Sequence, residues 1–369
     1  MGKKELGYLC SLLRYFMNEK QLEQNTINSV KEAQLLEFAI MLIILNEFEK
    51  VAKGGNQSQS TNNIRSELTK EVDKFQKAIE ISILATLQDL NKSTLDGLKG
   101  AKDINYYDVS KHGENMLKNI QKYVKSKGFV LNGQRLETFF YNLCRDEATK
   151  VVNGEIMLEE AIKKACHKLG QSGVSVVTYE NTTRKIDVYV RQELLYAQKQ
   201  SYQDIQFKYA SDNDITVFET DAHPNARPSH QVWQGRRWDT TGKLYPTFEE
   251  LSHGNGDYND YNCLHVVDPV ANPDAPLRYT EKDLANINTK PFTFRGKEYD
   301  GYEAKQHMRY LERQIRACKR ENNLLSAKGL EDEKLSQKLK NLNTEYNQFC
   351  KAFKTYPRTN RLSVYIECL

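Results

Sequence analysis

Apolar residues recur at three- and four-residue steps over long stretches of this chain. Between residues 64 and 98 the recurring positions are Leu68, Val72, Phe75, Ile79, Ile83 and Leu87. In an α-helix this spacing places the side chains on one face, so the stretch is predicted to form one long amphipathic helix. Leu, Ile and Phe follow the same spacing between residues 5 and 51, which predicts a second helical segment.

A polar tract separates these two helical stretches. Residues 53–63 read Lys-Gly-Gly-Asn-Gln-Ser-Gln-Ser-Thr-Asn-Asn, a composition that is typical of a flexible linker. Helical spacing resumes in 108–127, 136–152 and 158–169, and Gly170 then provides a common type of helix end. Apolar stripes of this kind usually pack in a core or against a partner helix, and we see no catalytic signature among them.

The pattern changes in the middle of the chain. Thr182 or Thr183 can act as the N-cap of a helix that runs to about Tyr209. Residues 214–220 then alternate apolar and polar side chains. This alternation predicts a half-buried strand, which would carry His223 just beyond its end.

Two charged helices are predicted near the C-terminal end, over 301–327 and 330–356, joined at Lys328-Gly329 as a helical hairpin. We therefore expect an α+β fold that is predominantly helical, with a helical N-terminal region, a small mixed α/β core and a C-terminal helical hairpin. The predicted divisions are an N-terminal helical segment (1–52), the linker (53–63), a helical arm (64–170), the mixed core (171–300), and the hairpin with its tail (301–369).

Composition limits the classes of protein that the chain can represent. It has 369 residues, of which 39% are hydrophobic and 28% charged, a balance that favours thin helix-rich layers over one thick core. Its net charge of +4 is too small to indicate a nucleic-acid partner by itself. Seven scattered cysteines without CxxC spacing favour a reducing cytoplasm over a disulfide framework. The most apolar run, 35–45, is too short to span a bilayer, and we expect neither a signal peptide nor a membrane partner.

Residues with reactive or metal-binding side chains are concentrated between positions 223 and 265. Four of the seven histidines and both tryptophans lie there, on segments rich in Pro, Gly, Asn and Asp. Such segments form loops rather than long helices. Four donors of the type that zinc prefers occur among them: His223, His230, Cys263 and His265. Together they would close a tetrahedral site, although their spacing matches no standard zinc finger.

Two other interpretations of these residues stay open. In the first, a buried hydrogen-bonded lattice holds the irregular loops, with Arg227 tied to carbonyl groups or to Asp221. The members of this lattice would be His230, Trp233, Gln234 and Asn262. In the second, Cys263 and a nearby histidine form a nucleophilic pair, and Arg227 with His230 acts on a phosphodiester. We do not expect an enzyme, because no oxyanion motif or third catalytic group accompanies the pair.

The same stretch resembles a known protein family. The segment His223-Pro-Asn-Ala-Arg227-Pro-Ser-His230-Gln-Val-Trp233-Gln234-Gly235, followed by Tyr261-Asn262-Cys263-Leu264-His265, is similar to the phage minor capsid protein 2 family, a relative of the Mu-type head morphogenesis proteins. Flanking blocks at 187–191 and 302–320 support the resemblance, which covers roughly residues 170–330. Leu264 departs from the family, which usually has Arg in an Asn-Cys-Arg-His motif. Residues of the structural core motif in this chain are Arg227, Trp233, Gln234, Gly235 and Asn262.

The resemblance implies a structural protein of the virion. Such a protein would lie inside the phage head near the portal and would contact portal, capsid or scaffold proteins. It would assemble in the host cytoplasm before DNA packaging, and it could leave the head with the DNA. Two rival functions stay open: a nuclease or toxin-like enzyme that uses the His/Arg/Cys cluster, and a metal-stabilised DNA-binding module.

One of the C-terminal helices carries a candidate contact for phage DNA. Arg309, Arg313, Arg316 and Arg320 recur at three- and four-residue steps and would form one basic ridge. A ridge of this kind neutralises several phosphates without reading the base sequence. Alternatively, the arginines pair with Glu303, Glu312 and acidic groups of a protein partner.

Overall fold

The computed structural model describes residues 23–97, 110–126, 128–178, 181–254, 258–259 and 262–366. The described part opens with three helices: α1 (Ile27–Ala52), α2 (Gln57–Gly97) and α3 (Ser110–Ser126). A turn of four residues connects α1 to α2, and the two helices pack against each other.

A small antiparallel sheet follows these helices. The elements here are β1 (Phe129–Leu131), β2 (Gln134–Arg135), α4 (Leu136–Leu143), a π-helical turn (Cys144–Ala148), α5 (Thr149–Val152), α6 (Leu158–Ser172), β3 (Val174–Val177) and β4 (Thr183–Lys185). The strands are ordered β2-β1-β3-β4, with Phe129 opposite Val176 and Ser175 opposite Lys185. None of these strands exceeds four residues, so the sheet depends on its contacts with the helices.

A second antiparallel sheet lies beyond a long helix. Here the chain forms α7 (Ile186–Asp212), β5 (Val217–Thr220), a 3₁₀ turn (Pro228–His230), β6 (Arg237–Asp239), α8 (Phe248–Ser252) and β7 (Val267–Pro269). β5 is the central strand and pairs with both β6 and β7. Phe218 of β5 stacks on Trp238 of β6 with ring centroids 4.9 Å apart, which covers one face of the sheet.

The C-terminal part contains the predicted helical hairpin. It comprises α9 (Glu281–Ala285), β8 (Phe292–Phe294), β9 (Lys297–Tyr299), α10 (Gly301–Ala327), α11 (Glu333–Ala352) and α12 (Thr359–Leu362). Asp300 starts α10 with a capping box, in which its side chain accepts a hydrogen bond from the Glu303 amide. α10 and α11 pack against each other around Tyr346 and Phe349, both fully buried.

Helix α1 lies in the largest hydrophobic core. Its residues Ile40 and Ile44 are buried in one cluster with Ile79 of α2, Val190 of α7 and Leu324 of α10. The first and last thirds of the chain therefore share a core. The domain boundaries predicted from sequence stay a prediction, but these contacts cross several of them.

The expected fold class is confirmed. The described chain is mostly helical with small antiparallel sheets, a helical N-terminal region and a C-terminal helix pair. None of its described helices combines the length and the apolar character that crossing a bilayer requires.

Three local predictions were wrong. The helix predicted to end at Gly170 continues to Ser172, and Gly173 follows its last residue. The segment 53–63, predicted to be a flexible linker, is helical from Gln57 onwards. Asn56 caps this helix, because its side chain accepts a hydrogen bond from the Gln59 amide at 3.0 Å. Thr183 does not cap a helix but belongs to β4, and α7 begins at Ile186. At 53–63 the polar residues that suited a linker also allow a capped helix start, whereas Thr183 is extended because it pairs with Val177 of β3.

Candidate functional site

The candidate site forms where two strands of the second sheet end side by side. Because β5 and β7 are antiparallel, the residues that follow β5 lie next to those that precede β7, and Thr220 faces Val267. The Asp221 side chain reinforces this junction by accepting a hydrogen bond from the Val266 amide at 2.8 Å. Residues 221–223 and 263–266 therefore meet at one edge of the sheet, although they are about 40 positions apart.

The loop between β5 and β6 supplies the third part of the site. Pro228 begins the 3₁₀ turn, and the His230 amide donates to the carbonyl of Arg227 at 2.9 Å. This turn directs the His230 ring inward, where its centroid lies 4.6 Å from that of Trp233. Trp233 is fully buried and also contacts His265 at 4.7 Å between centroids, so it forms an apolar wall of the site.

Three of the four predicted metal donors converge. His230, Cys263 and His265 are all buried, and each offers one ligand atom within 4.8 Å of the others. The Cys263 sulfur lies 3.5 Å from Nδ1 of His265 and 4.0 Å from Nδ1 of His230. Two ligands of a tetrahedral zinc ion with ordinary Zn–S and Zn–N bonds are about 3.6 Å apart. The group could therefore hold a metal ion with small side-chain adjustments.

Gln234 determines which nitrogen of His265 faces this group. Its Oε1 accepts a hydrogen bond from the His223 backbone amide at 3.0 Å, and an amide can only donate. The same oxygen lies 3.1 Å from Nε2 of His265, so Nε2 carries the proton. Nδ1 of His265 is then the bare nitrogen that faces Cys263. Metal-binding histidines commonly donate their second N–H to an oxygen in this way.

The electrostatic surroundings keep the imidazole neutral. Burial, together with neighbouring His223 and His230, lowers the pKa of His265 to about 2. Burial also raises the pKa of the Cys263 thiol, and the nearby Lys199 ammonium opposes that rise. A neutral imidazole suits metal binding, whereas a thiol needs a nearby cation to ionise.

The remaining predicted donor, His223, lies beside the group but outside it. Its Nε2 is 3.1 Å from the Asp221 carboxylate and 3.2 Å from the carbonyl oxygen of Leu264. The His223 and His265 ring centroids are 4.6 Å apart. Three of the four predicted donors thus form the group, and His223 lies beside it and contacts Asp221 and Leu264 instead.

Members of the predicted core motif have different environments. Gly235 has a φ of +69°, and a Cβ there would lie 2.5 Å from a methyl group of Leu284, so only glycine fits without rearrangement. Asn262 also has a positive φ, but its side chain is exposed and cannot belong to a buried lattice. Arg227 is half-buried and precedes the 3₁₀ turn, while Asp221 contacts His223 and Val266.

Lys199 is a site residue that sequence reasoning missed. It lies in the middle of α7, is almost fully buried, and donates a hydrogen bond from Nζ to the carbonyl of Tyr258. Its ammonium lowers the pKa of the Cys263 thiol, against the larger opposite effect of burial. In the sequence it is one lysine in a charged helix, more than 60 positions from the cysteine, and no local pattern distinguishes it.

The predicted DNA-binding ridge is not a continuous surface. Arg309 and Arg313 are exposed, but Arg316 and Arg320 are buried. Arg316 pairs with Asp187 of α7, while Arg320 lies near Glu37 of α1 and donates to the carbonyl of Gly170. The prediction that all four arginines face solvent was wrong because carboxylates distant in sequence draw two of them into the core.

A family model describes most of the chain. The model for phage minor capsid protein 2 matches residues 48–351, a range that begins near the end of α1 and ends in α11. It therefore extends well beyond the stretch in which we found the resemblance. Separate searches of curated proteins and of solved structures found no match. From the match over residues 48–351 we conclude that the chain belongs to the phage minor capsid protein 2 family.

Proposed function

We propose that this protein is a structural component of the phage head, placed in the interior near the portal, where it contributes to head assembly. The observation that carries the proposal is the family match from residue 48 to residue 351. Membership of a capsid protein family implies partners in the capsid. Portal, capsid or scaffold proteins are the proposed partners, and the host cytoplasm is the proposed place of assembly.

The proposed role does not include catalysis. Cys263 is 4% exposed, and burial raises the pKa of its thiol, which lowers the fraction of reactive thiolate. The rings of Trp233 and His230 pack against each other beside this thiol, with centroids 4.6 Å apart. These features favour a structural centre over the nuclease or toxin-like alternative.

Intact and opened virions should distinguish an interior position from an exterior one. We expect mass spectrometry to detect the chain in purified particles. We expect protease to cleave it only after the heads are opened, and cross-linking of intact particles to join it to the portal. Major capsid protein serves as the control for head integrity. Cleavage in intact particles, or cross-links to tail proteins alone, would contradict the proposed location.

A second candidate function is a zinc-stabilised module. It rests on the convergence of His230, Cys263 and His265 and on the hydrogen bond that presents Nδ1 of His265 to the group. When bound, zinc would cross-link the β5–β6 loop to the segment that precedes β7. Loops with little regular backbone pairing gain most from such a cross-link, because the ion's binding energy adds to the stability of the fold.

Elemental analysis of the purified protein should find about one zinc per chain, and Cys263→Ser should remove it. Cys350→Ser provides a matched control, since Cys350 is equally buried but lies in α11. We expect the control to keep its zinc even where it loses some stability. Metal-free protein with unchanged thermal stability would exclude the zinc module and leave the hydrogen-bonded lattice.

A further inference from the structure

The C-terminal segment lies across the helices as a bound peptide would. We define the strap as residues 358–366, which contain α12 and follow α11 after a short connection. Gln34 of α1 contacts the strap main chain as a neighbouring strand would. Its Nε2 donates to the carbonyl of Ser363 at 3.1 Å, and its Oε1 accepts from the amide of Tyr365 at 3.0 Å. One buried side chain thus satisfies two main-chain groups of the strap.

Two carboxylates of the same surface bind arginines of the strap. Glu312 of α10 accepts a hydrogen bond from Nε of Arg358 at 2.8 Å, and Glu23 accepts one from Nε of Arg361 at 3.0 Å. Charge-assisted hydrogen bonds of this kind are stronger than neutral ones. We define the strap groove as Glu23, Gln34 and Glu312. It recognises main-chain groups together with two arginines three positions apart.

The strap is held at the surface rather than in the core. None of residues 354–366 is buried. In the connection that precedes the strap, Tyr356 is 90% exposed and Lys354 has a φ of +55°. Segments that bury few apolar side chains detach at low free-energy cost. Detachment of the strap would therefore leave the hydrophobic cores of the helices largely intact.

An empty strap groove would be less favourable than an occupied one. Glu312 also accepts a hydrogen bond from the hydroxyl of Tyr346 at 2.9 Å, and both residues are buried when the strap is in place. Departure of Arg358 would leave the Glu312 carboxylate with a neutral hydroxyl and water in place of a guanidinium. Because a largely buried charge that loses its partner is destabilising, the groove favours occupation by an arginine-containing strap.

We propose that the strap groove binds the strap of a second copy of this chain, so that two copies associate by exchanging straps. The exchange needs no new surface, because each contact that holds the strap within one chain is repeated between the chains. It is also symmetric: each copy gives one strap and receives one, so both grooves stay occupied. The exposed connection at 354–357 would extend towards the partner instead of turning back. This inference does not rest on the position of the protein in the phage head.

Two complementary charge reversals in the full chain test the exchange. One population carries Glu23→Arg and the other carries Arg361→Glu, so each places like charges between its own groove and its own strap. Only exchange between the two populations restores opposite charges in both grooves. In an equimolar mixture we expect a heterodimer that binds at least about ten times more tightly than either variant associates alone. Light scattering and native mass spectrometry measure the association.

Two controls separate exchange from general charge effects. The double variant Glu23→Arg/Arg361→Glu restores the ion pair within one chain. It should behave as the parent chain, which we expect to dimerise only near the roughly millimolar effective concentration that a short flexible connection gives. A mixture of Glu345→Arg with Arg295→Glu reverses an ion pair outside the groove and should stay monomeric. Circular dichroism verifies that each variant is folded.

Monomers in the groove mixture while both variants are folded would overturn the proposal, as would equal association in the control mixture. If a groove variant does not fold, the parent chain decides instead. It should form dimers as its concentration rises through about one millimolar, and a parent chain that stays monomeric there overturns the proposal.

Discussion

Replacing Asp187 with asparagine should lower the free energy of unfolding by about 3–5 kcal/mol, the usual range for breaking a buried ion pair. Asp187 is 1% exposed and pairs with Arg316, which is itself buried. Burial opposes ionisation of this carboxyl, but Arg316 and Arg191 outweigh it and lower its pKa to about 2. The substitution keeps the shape of the side chain and leaves Arg316 without its anion. Urea denaturation at pH 7 measures the loss.

Asp204→Asn is the matched control for this prediction. Asp204 lies on the same helix, but its side chain is 63% exposed and contacts His112. Exposed pairs contribute little, so we expect a change below about 1 kcal/mol. The pH dependence provides a second check: because the folded-state pKa is depressed, the stabilisation by Asp187 is present above pH 4 and lost as the pH falls towards 2. Similar losses in the two variants would show that Asp187 is not a key ion-pair partner.

Replacing Glu193 with glutamine should stabilise the protein at pH 8 by about 3 kcal/mol and leave its stability near pH 4.5 unchanged. Burial raises the pKa of Glu193 to about 7, against opposing effects of Asn119 and Arg184. The folded protein therefore holds a proton that the unfolded chain releases above pH 4.5. Stability falls as the pH rises from 4.5 to 7 and is constant above that. Glutamine carries no charge and removes this dependence.

Stability curves at pH 4.5, 6 and 8 measure the effect. Glu114→Gln serves as the control, because Glu114 is an exposed residue of α3, the helix that also carries Asn119 and packs against α7. We expect Glu114→Gln to follow the pH profile of the parent chain. If Glu193→Gln also keeps the parent profile, the carboxyl of Glu193 titrates normally and its burial has little electrostatic cost.

Most helices could be predicted because their signal is local and long. The apolar positions from Leu68 to Ile83 recur over several turns, and their burial follows that recurrence. Strands of two to four residues carry no comparable signal. Phe129–Leu131 and Val174–Val177 are buried apolar runs that become strands only by pairing with each other across more than 40 residues. A contact of that sequence separation leaves no periodic pattern in either segment.

The sequence predicted which types of residue form the candidate site, but not which of these residues come together. The concentration of histidines, tryptophans and Cys263 identified the right stretch of chain. Convergence of His230, Cys263 and His265 depends on the antiparallel pairing of β5 with β7 and on the turn at Pro228. The same pairing brings His223 to the carbonyl oxygen of Leu264 rather than into the group of donors. The spacing of these residues in the sequence predicts neither the convergence of the three donors nor the position of His223.

The amino-acid sequence by itself determined the helical character of the chain and its membership of the phage minor capsid protein 2 family. Only the tertiary structure decided which charged residues face solvent. Arg313 and Arg316 are three positions apart on α10, yet the first is exposed and the second buried. The physical reason is that a buried charge requires a partner, and Asp187, the partner of Arg316, lies 129 residues away.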